Sequence, residues 1–248
     1  GRIMATYVNN LRLKEITTGD ESGTWGTSTN TNLELIGEAL GFGTEGITTN
    51  ADTHTTTVAD GSADEGRAMY IKYTGTLDSA CTITIGPNTL KRVHIIENAT
   101  SGSQNIIISQ GSGANVTIAP GTSKVVYLDG AGSGAAVVDA FAHLAAVDLT
   151  VDDDLIVSDD VTLKSDSAVL GFGADTDTTL THTDGTGLTL NSTNKLCFGD
   201  TGTFIHQSAD GVLDLVSDSE VEINGSTIDI NGDVDISGTT VSGGKITA

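Results

Sequence analysis

An acidic run near the end of the chain resembles a metal-binding loop more than any other segment does. The stretch "VEINGSTIDINGDVDISG" places Asp229, Asn231 and Asp233 at alternate positions, as an EF-hand calcium loop does. The glycine of such a loop falls too early, at Gly232, and no glutamate closes it. The stretch therefore predicts acidic extended strands, and no metal or cofactor is expected. Weak cation binding between neighbouring turns stays open as an alternative.

Histidine and cysteine are the other side chains that could act as bases, nucleophiles or ligands. The histidines are scattered, and each is interpreted as a packed or surface side chain: they are His54, His94, His143, His182 and His206. Cys81 and Cys197 both stand in apparent strands, with no CxxC partner and no zinc-ligand spacing. We expect both to be buried, reduced thiols.

Composition and charge narrow the fold and exclude two kinds of partner. Aromatic residues make up 4% of the 248 residues and there are 31 glycines, which suits many short strands joined by turns. The chain has 33 acidic and 11 basic residues, so nucleic-acid binding through Lys and Arg is disfavoured. No apolar run approaches the length of about 20 residues that spans a bilayer, so no membrane insertion is expected. The start has no signal-peptide pattern, which predicts synthesis in the cytoplasm.

Residues 1–45 differ in sequence pattern from the rest of the chain. Leu11 and Leu13 alternate with polar neighbours in a strand-like piece, and glycines then surround Trp25. A short helix capped by Asn30 or Asn32 is predicted next, with one apolar stripe formed by Leu33, Ile36 and Leu40. This stripe is too small to form a core, so it needs a surface on which to dock.

The middle of the chain predicts a small β-domain. Between residues 46 and 134, short β-branched runs are bounded by Gly, Pro, Asn and Asp, which is typical of an antiparallel sandwich or barrel. Residues 135–148 are alanine-rich, and Val138, Phe141 and Leu144 fit one helical face. We interpret this second piece as a short neck.

From residue 149 to 248 the sequence becomes repetitive. In "LTVDDDLIVSDDVTLKSD", pairs of apolar residues recur six residues apart with acidic turns between them. One such unit leaves its apolar edge exposed unless another copy covers it. Stacked turns of a solenoid and three parallel chains wound together are the two arrangements that do so.

A longer repeat lies within this region. Residues 170–190 and 196–215 align, so that Phe172 matches Phe198 and His182 matches His206. A catalytic histidine has no reason to recur with every turn of a scaffold. The repeat therefore favours a structural role for both histidines.

These residues carry a resemblance to a known family. The opening "VNNLRLKEITTGDESGTWGTSTNTNLELIGEAL" and the closing "KLCFGDTGTFIHQSADGVLDLVSDSEVEINGSTIDINGDVDISG" resemble tail fibre proteins of tailed phages, particularly those that infect marine bacteria. The resemblance implies an all-β homotrimer in the virion. Its N-terminal part would attach to a tail protein (tail tube, adaptor or nozzle), and its shaft would project toward a host surface receptor. Such fibres usually end in a bulky tip, whereas this sequence stops at "GGKITA".

Two sets of residues are the candidate contact surfaces. The residues expected to dock on the virion are Leu11, Leu13, Trp25, Leu33, Ile36 and Leu40. The residues expected to form the core of the trimeric shaft are Leu149, Val151, Leu155, Val157, Val161, Leu163, Val221, Ile223, Ile228, Ile230, Val234 and Ile236.

Two other classes of protein remain as alternatives. A trimeric β-helical enzyme, either a hexapeptide-repeat acyltransferase or a polysaccharide depolymerase, shares the short apolar periods, but no pair of carboxylates stands out among so many. A bacterial surface adhesin fits the repeats, and the lack of a secretion signal argues against it. The sequence therefore predicts a structural protein and not an enzyme.

Overall fold

The computed structural model describes residues 5–7 and 9–244, and it divides into two compact units, Gly1–Thr150 and Val151–Ala248. We call them the first unit and the second unit. The regular secondary structure of the described residues is mostly β-strands in several sheets, with one α-helix, α1 (Trp25–Ala39), near the start. The prediction of an all-β chain with an N-terminal helix is therefore confirmed. Residues 1–4 and 8 of the predicted attachment segment and residues 245–248 of the predicted shaft lie outside the described residues.

Nine strands build the first unit. They are β1 (Phe42–Gly46), β2 (Thr53–Thr57), β3 (Tyr70–Thr74), β4 (Cys81–Gly86), β5 (Arg92–Asn98), β6 (Ile106–Ser109), β7 (Val116–Ile118), β8 (Ser123–Leu128) and β9 (Val137–Asp139). One sheet has the order β1-β3-β5-β8-β9 and the other has the order β2-β4-β6-β7. Up to β6 the chain thus alternates between the two sheets.

Strand direction differs from the prediction. In the first unit the pairs β1/β3, β3/β5, β2/β4 and β4/β6 are parallel, whereas β5/β8, β8/β9 and β6/β7 are antiparallel. The predicted antiparallel sandwich is therefore wrong in its strand pairing. The chain coils through successive rungs, each contributing one strand to each sheet, because consecutive strands cross between the sheets instead of turning back within one.

Glycine makes the close stacking of these rungs possible. The backbone N–H of Leu77 donates to the carbonyl of Ser101, and that of Ser101 donates to the carbonyl of Gly75, so successive turns pair with each other. Gly102 has φ of +98°, and a Cβ there would lie 1.9 Å from the carbonyl oxygen of Leu77. Only glycine fits at that approach.

The two sheets enclose one hydrophobic core. Alternate side chains of each strand point inward, as the period of two along a strand requires. The largest buried apolar side chains of this core are Ile71, Tyr73, Leu77, Ile83, Ile85, Leu90, Ile96, Ile106, Ile108 and Ile118. Buried Asn98 satisfies backbone groups within it, because its amide nitrogen donates to the carbonyls of Gln104 and Ile118 at 2.9 and 3.1 Å.

Helix α1 begins earlier than predicted. Its N-cap is Thr24, so Asn30 and Asn32 lie inside the helix and cap nothing. The side chain of Asn32 instead exchanges two hydrogen bonds with the backbone of Lys14, at 3.0 and 2.9 Å. These bonds hold the preceding arm against the helix.

Two local features predicted from the sequence, a strand and a helix, are absent. Leu11 and Leu13 flank Arg12, whose φ of +51° interrupts an extended chain, and the described residues there form a turn instead of a strand. The predicted neck contains no helix, since Val138 belongs to β9 and pairs with Tyr127 of β8. The predicted boundary after residue 45 falls within β1.

The second unit contains six strands in two small sheets. They are β10 (Val169–Phe172), β11 (Thr178–Thr183), β12 (Gly187–Leu190), β13 (Leu196–Phe198), β14 (Asp200–His206) and β15 (Asp214–Val216). Each consecutive group of three forms an antiparallel sheet. The two aligned sequence repeats therefore correspond to two successive copies of one supersecondary unit.

Candidate functional site

The acidic stretch at residues 229–235 is extended and exposed. The amide nitrogen of Asn231 lies 3.4 Å from a carboxylate oxygen of Asp229, across two residues of chain. Within residues 5–7 and 9–244, no group of three or more His, Cys, Asp or Glu side chains is placed to hold a metal ion. The predicted pairing of this stretch into a strand ladder has no counterpart within the described chain.

One histidine is fully buried. His94 on β5 contacts the carbonyl oxygen of Ala68 through Nδ1 at 2.8 Å, while its Nε2 has no hydrogen-bond partner. Burial lowers the pKa of His94 to about 4, and the nearby Arg92 cation adds to this effect. His94 is therefore a neutral, packed side chain at neutral pH, as its isolated position in the sequence predicts.

A second histidine belongs to a polar chain between the sheets. His54 Nε2 lies 2.6 Å from Glu45 Oε1, and the hydroxyl of Thr56 donates to the same oxygen at 2.9 Å. The hydroxyl of Tyr73 lies 2.7 Å from that of Thr56, and burial raises the Tyr73 pKa. Thr56 and Tyr73 are both sealed from solvent, and these groups satisfy one another's hydrogen bonds.

The repeated histidines occupy matching places on β11 and β14. His182 is half-buried, and His206 Nε2 lies 3.5 Å from a carboxylate oxygen of Asp214. The ring of His206 also packs edge-on against Phe204, with centroids 4.9 Å apart. These contacts of His206 are with side chains of its own sheet, which fits a structural role.

The cysteines are both free, and only one is buried. Cys81 lies in the core, where burial raises the pKa of its thiol. Cys197 is exposed, so the expectation that it is buried is wrong. All three residues of its strand, β13, are exposed, so a strand-like sequence did not bring burial here.

Sequence reasoning missed a buried arginine that joins several elements. Arg67 is fully buried, and its Nη2 donates to the carbonyls of Ala59 and Ser62 and to the Asp64 carboxylate, at 2.6, 2.8 and 3.1 Å. Its Nε lies 4.0 Å from a carboxylate oxygen of Glu38 on α1. The sole signal in the sequence was a lone basic residue in the acidic run "SADEGRAM".

The predicted docking residues fall into two groups. Leu11 and Leu13 are half-buried in the arm that precedes α1. Trp25, Leu33, Ile36 and Leu40 all lie on or directly after α1 and are exposed, with Leu40 at 70%. The opposite face of the helix is covered, because Leu35 and Ala39 are buried. The helix therefore presents an uncovered apolar stripe.

The predicted shaft residues are all exposed in a single chain. Their exposed fractions run from 42% at Val151 to 70% at Leu149. None of the described residues 151–244 is buried. Residues 145–164 and 217–244 make no backbone–backbone hydrogen bond to any described residue. The second unit therefore has neither a core nor backbone pairing along these two segments.

Comparison with known proteins does not identify a family. No protein-family model matches this sequence, and neither a curated protein nor a solved structure shows significant similarity to it. Within the described chain, no helix has the length and apolarity needed to cross a membrane.

Proposed function

We propose that this chain is a structural tail fibre protein of a bacteriophage. In this proposal three copies form a homotrimer, attach to the virion tail through the N-terminal part and project a β-rich shaft toward the host surface. The resemblance of the first and last segments to phage tail fibres supports it. The observation that carries it is the second unit, in which regularly spaced apolar side chains occur without a single buried residue among 151–244.

Additional copies of the same chain are the partner that these segments require. Bends recur at Ser226, at Gly232 and at Ser237 and Gly238, about six residues apart, and the apolar pairs have a similar period. A partner must match that period along the whole segment, and an identical chain does so automatically. Association then covers the apolar side chains and pairs the free backbone groups together, each of which lowers the free energy of the assembly.

An intertwined shaft fits these observations better than a solenoid made by one chain. In a solenoid, successive turns of one chain pair with each other, as the rungs of the first unit do. Residues 145–164 and 217–244 have no such pairing with described residues. Pairing between chains is the arrangement that remains for them.

Labelling of intact particles tests the proposal. Gold-coupled antibodies against the purified chain are applied to the parent phage and imaged by electron microscopy. We expect label on the tail fibres, and light scattering of the purified protein should give three times the chain mass of 25.3 kDa. Label on the capsid, or absence of the chain from purified particles, would show that the proposal is wrong.

A further inference from the structure

The first unit carries an apolar groove beside its helix. The groove has a volume of about 460 Å³, and its apolar lining consists of Leu40, Phe42, Met69, Tyr70 and Ile95. Phe42 is 63% exposed, and its ring lies 5.5 Å from that of Tyr70, centroid to centroid. Two aromatic rings at the floor of an open groove form a surface that another side chain can fill.

The groove continues the exposed stripe of α1. Leu40 belongs to both surfaces, and Leu33 and Ile36 extend the stripe back along the helix. The combined apolar surface therefore covers one helix face and the outer side of β1, β3 and β5. A contiguous exposed apolar surface of this kind is typical of a protein interaction site.

An acidic cleft adjoins the groove. Gly41 and Phe42 line both depressions, and the cleft, of about 300 Å³, also contains Glu38, Asp64 and Glu65. One carboxylate oxygen each of Glu38 and Asp64 is buried without a hydrogen-bond partner. Two nitrogens of the neighbouring Arg67, Nε and Nη1, are also buried without a hydrogen-bond partner.

The chain's own cation is not presented to solvent at this cleft. Arg67 is fully buried, and its Nη2 donates to two carbonyls and to Asp64. Its Nε lies 4.0 Å from Glu38, as an ion pair without a hydrogen bond. Glu65 is exposed and the Glu38 side chain is 39% exposed, so the cleft presents carboxylates, and not this cation, to a partner.

We propose that this joined groove and cleft, the docking surface, binds a segment of a different protein that carries an apolar side chain next to a lysine or arginine. The apolar side chain fills the groove, and the basic group reaches the acidic cleft. This inference deepens the proposed function, because it names the chemistry of the partner to which the fibre attaches. The same surface of a second copy fits poorly, since it would bring Glu38, Asp64 and Glu65 against identical carboxylates.

Short synthetic peptides test the docking surface on the full chain. Three peptides share the same apolar residues and differ only in carrying lysine and arginine, glutamine, or glutamate. Each is labelled with a fluorophore and titrated with protein, and binding is measured by anisotropy. We expect the basic peptide to bind most tightly and the acidic peptide not to bind. Binding of the basic peptide should weaken as salt increases.

Variants locate the binding. Phe42→Ser should weaken binding of the basic peptide about 30-fold, which corresponds to the loss of one aromatic anchor. Phe42→Leu should restore most of it, and Met69→Ser should weaken it as an independent check. Glu65→Lys should also weaken binding, whereas Asp78→Lys, an equal change of charge at an exposed residue outside the docking surface, should not.

Three outcomes would overturn the inference. The first is equal binding of the acidic and basic peptides. The second is unchanged binding of the basic peptide to both Phe42→Ser and Met69→Ser. The third is loss of the oligomer in those variants, which would assign the surface to a second copy. Melting curves measured beside each titration show whether the variants are folded. If the antibody labels the tail but the peptides do not bind, only the docking surface is refuted. If the basic peptide binds as expected but the antibody does not label the tail, only the proposed function is refuted.

Discussion

Gly173 and Gly199 share one left-handed backbone conformation, with φ of +84° and +83°, at the same position in two successive three-stranded sheets. Each comes directly after the phenylalanine that ends the first strand of its sheet, Phe172 or Phe198. The turns before the third strand match as well, since Gly185 and Gly211 have φ of +66° and +75°. The sequence repeat is therefore a repeat of backbone geometry, which explains why each copy retains its glycines.

Replacing either of the first two glycines should destabilise the second unit. We expect Gly173→Ala and Gly199→Ala each to lower the free energy of unfolding by about 1–2 kcal/mol per chain, because alanine is strained at positive φ. Gly232→Ala is the control, since Gly232 has no positive φ and a Cβ there meets nothing within 4 Å. Urea unfolding measures all three. Equal effects of Gly199→Ala and Gly232→Ala would contradict the left-handed conformation at Gly199, and a large effect of only one of the first two variants would contradict their structural equivalence.

A second pair of glycines, in the first unit, distinguishes backbone strain at positive φ from a steric clash of an added Cβ. Gly102 and Gly121 both have positive φ, +98° and +74°, but only at Gly102 would a Cβ meet another atom, the Leu77 carbonyl oxygen at 1.9 Å. Gly121→Ala should cost about 1 kcal/mol from backbone strain. Gly102→Ala should cost several times more, because the stacked turns must separate. Thermal melting of both variants checks this, and similar melting temperatures would argue against stacked rungs.

Protonation of His94 should destabilise the first unit in mild acid. Its pKa is lowered to about 4 in the folded chain and returns to about 6.5 on unfolding. The unfolded state therefore binds more protons between those values, so the stabilising contribution is present above pH 6.5 and is lost as pH falls toward 4. The full loss amounts to roughly 3 kcal/mol. Hydrogen exchange of peptides covering β5, measured at several pH values, reports it.

Two variants show whether His94 is the responsible group. His94→Gln removes the titrating ring, so its exchange rates, corrected for the intrinsic effect of pH, should vary much less between pH 6.5 and 5. His143→Gln replaces an exposed histidine and should keep the behaviour of the unaltered chain. If His94→Gln retains the full pH dependence, another group is responsible.

The sequence predicted the β-rich character and the repeats well, because both depend on local patterns. Glycine and Asn-Gly turns mark where extended runs stop, and the aligned copies at Phe172 and Phe198 could be found by comparison of the chain with itself. The apolar stripe of α1 was also predicted by the spacing of Leu33, Ile36 and Leu40.

Strand pairing could not be predicted in the same way. The apolar alternation of β3, β4 and β5 is the same whether neighbouring strands turn back or cross to the other sheet, so it does not encode strand direction. A usable signal was present, because Tyr70 pairs with Ile95 and Cys81 with Ile106, each 25 residues apart. The groove lined by Phe42, Tyr70 and Ile95 depends on that parallel register, which is why the sequence did not reveal it.

The shaft residues give the most direct test of trimer formation. Ile228 and Ile230 lie on either side of Asp229 and are both exposed in one chain, at 52% and 63%. If three chains cover them, replacing both with asparagine removes about 2 kcal/mol of burial for each side chain. We expect the Ile228→Asn/Ile230→Asn chain to remain folded in its first unit and to dissociate at lower urea concentration than the unaltered trimer.

Asp229→Asn provides the matched control for that double variant. It changes the residue between the two isoleucines, whose side chain points to the opposite face of an extended chain and remains in solvent in the trimer. Its dissociation midpoint should equal or slightly exceed that of the unaltered protein, because one like charge per chain is removed. Size exclusion coupled to light scattering across a urea series measures every variant. An unaltered chain that elutes as a monomer at micromolar concentration would rule out intertwining, and equal midpoints for the double variant and Asp229→Asn would place the isoleucines outside the shaft core.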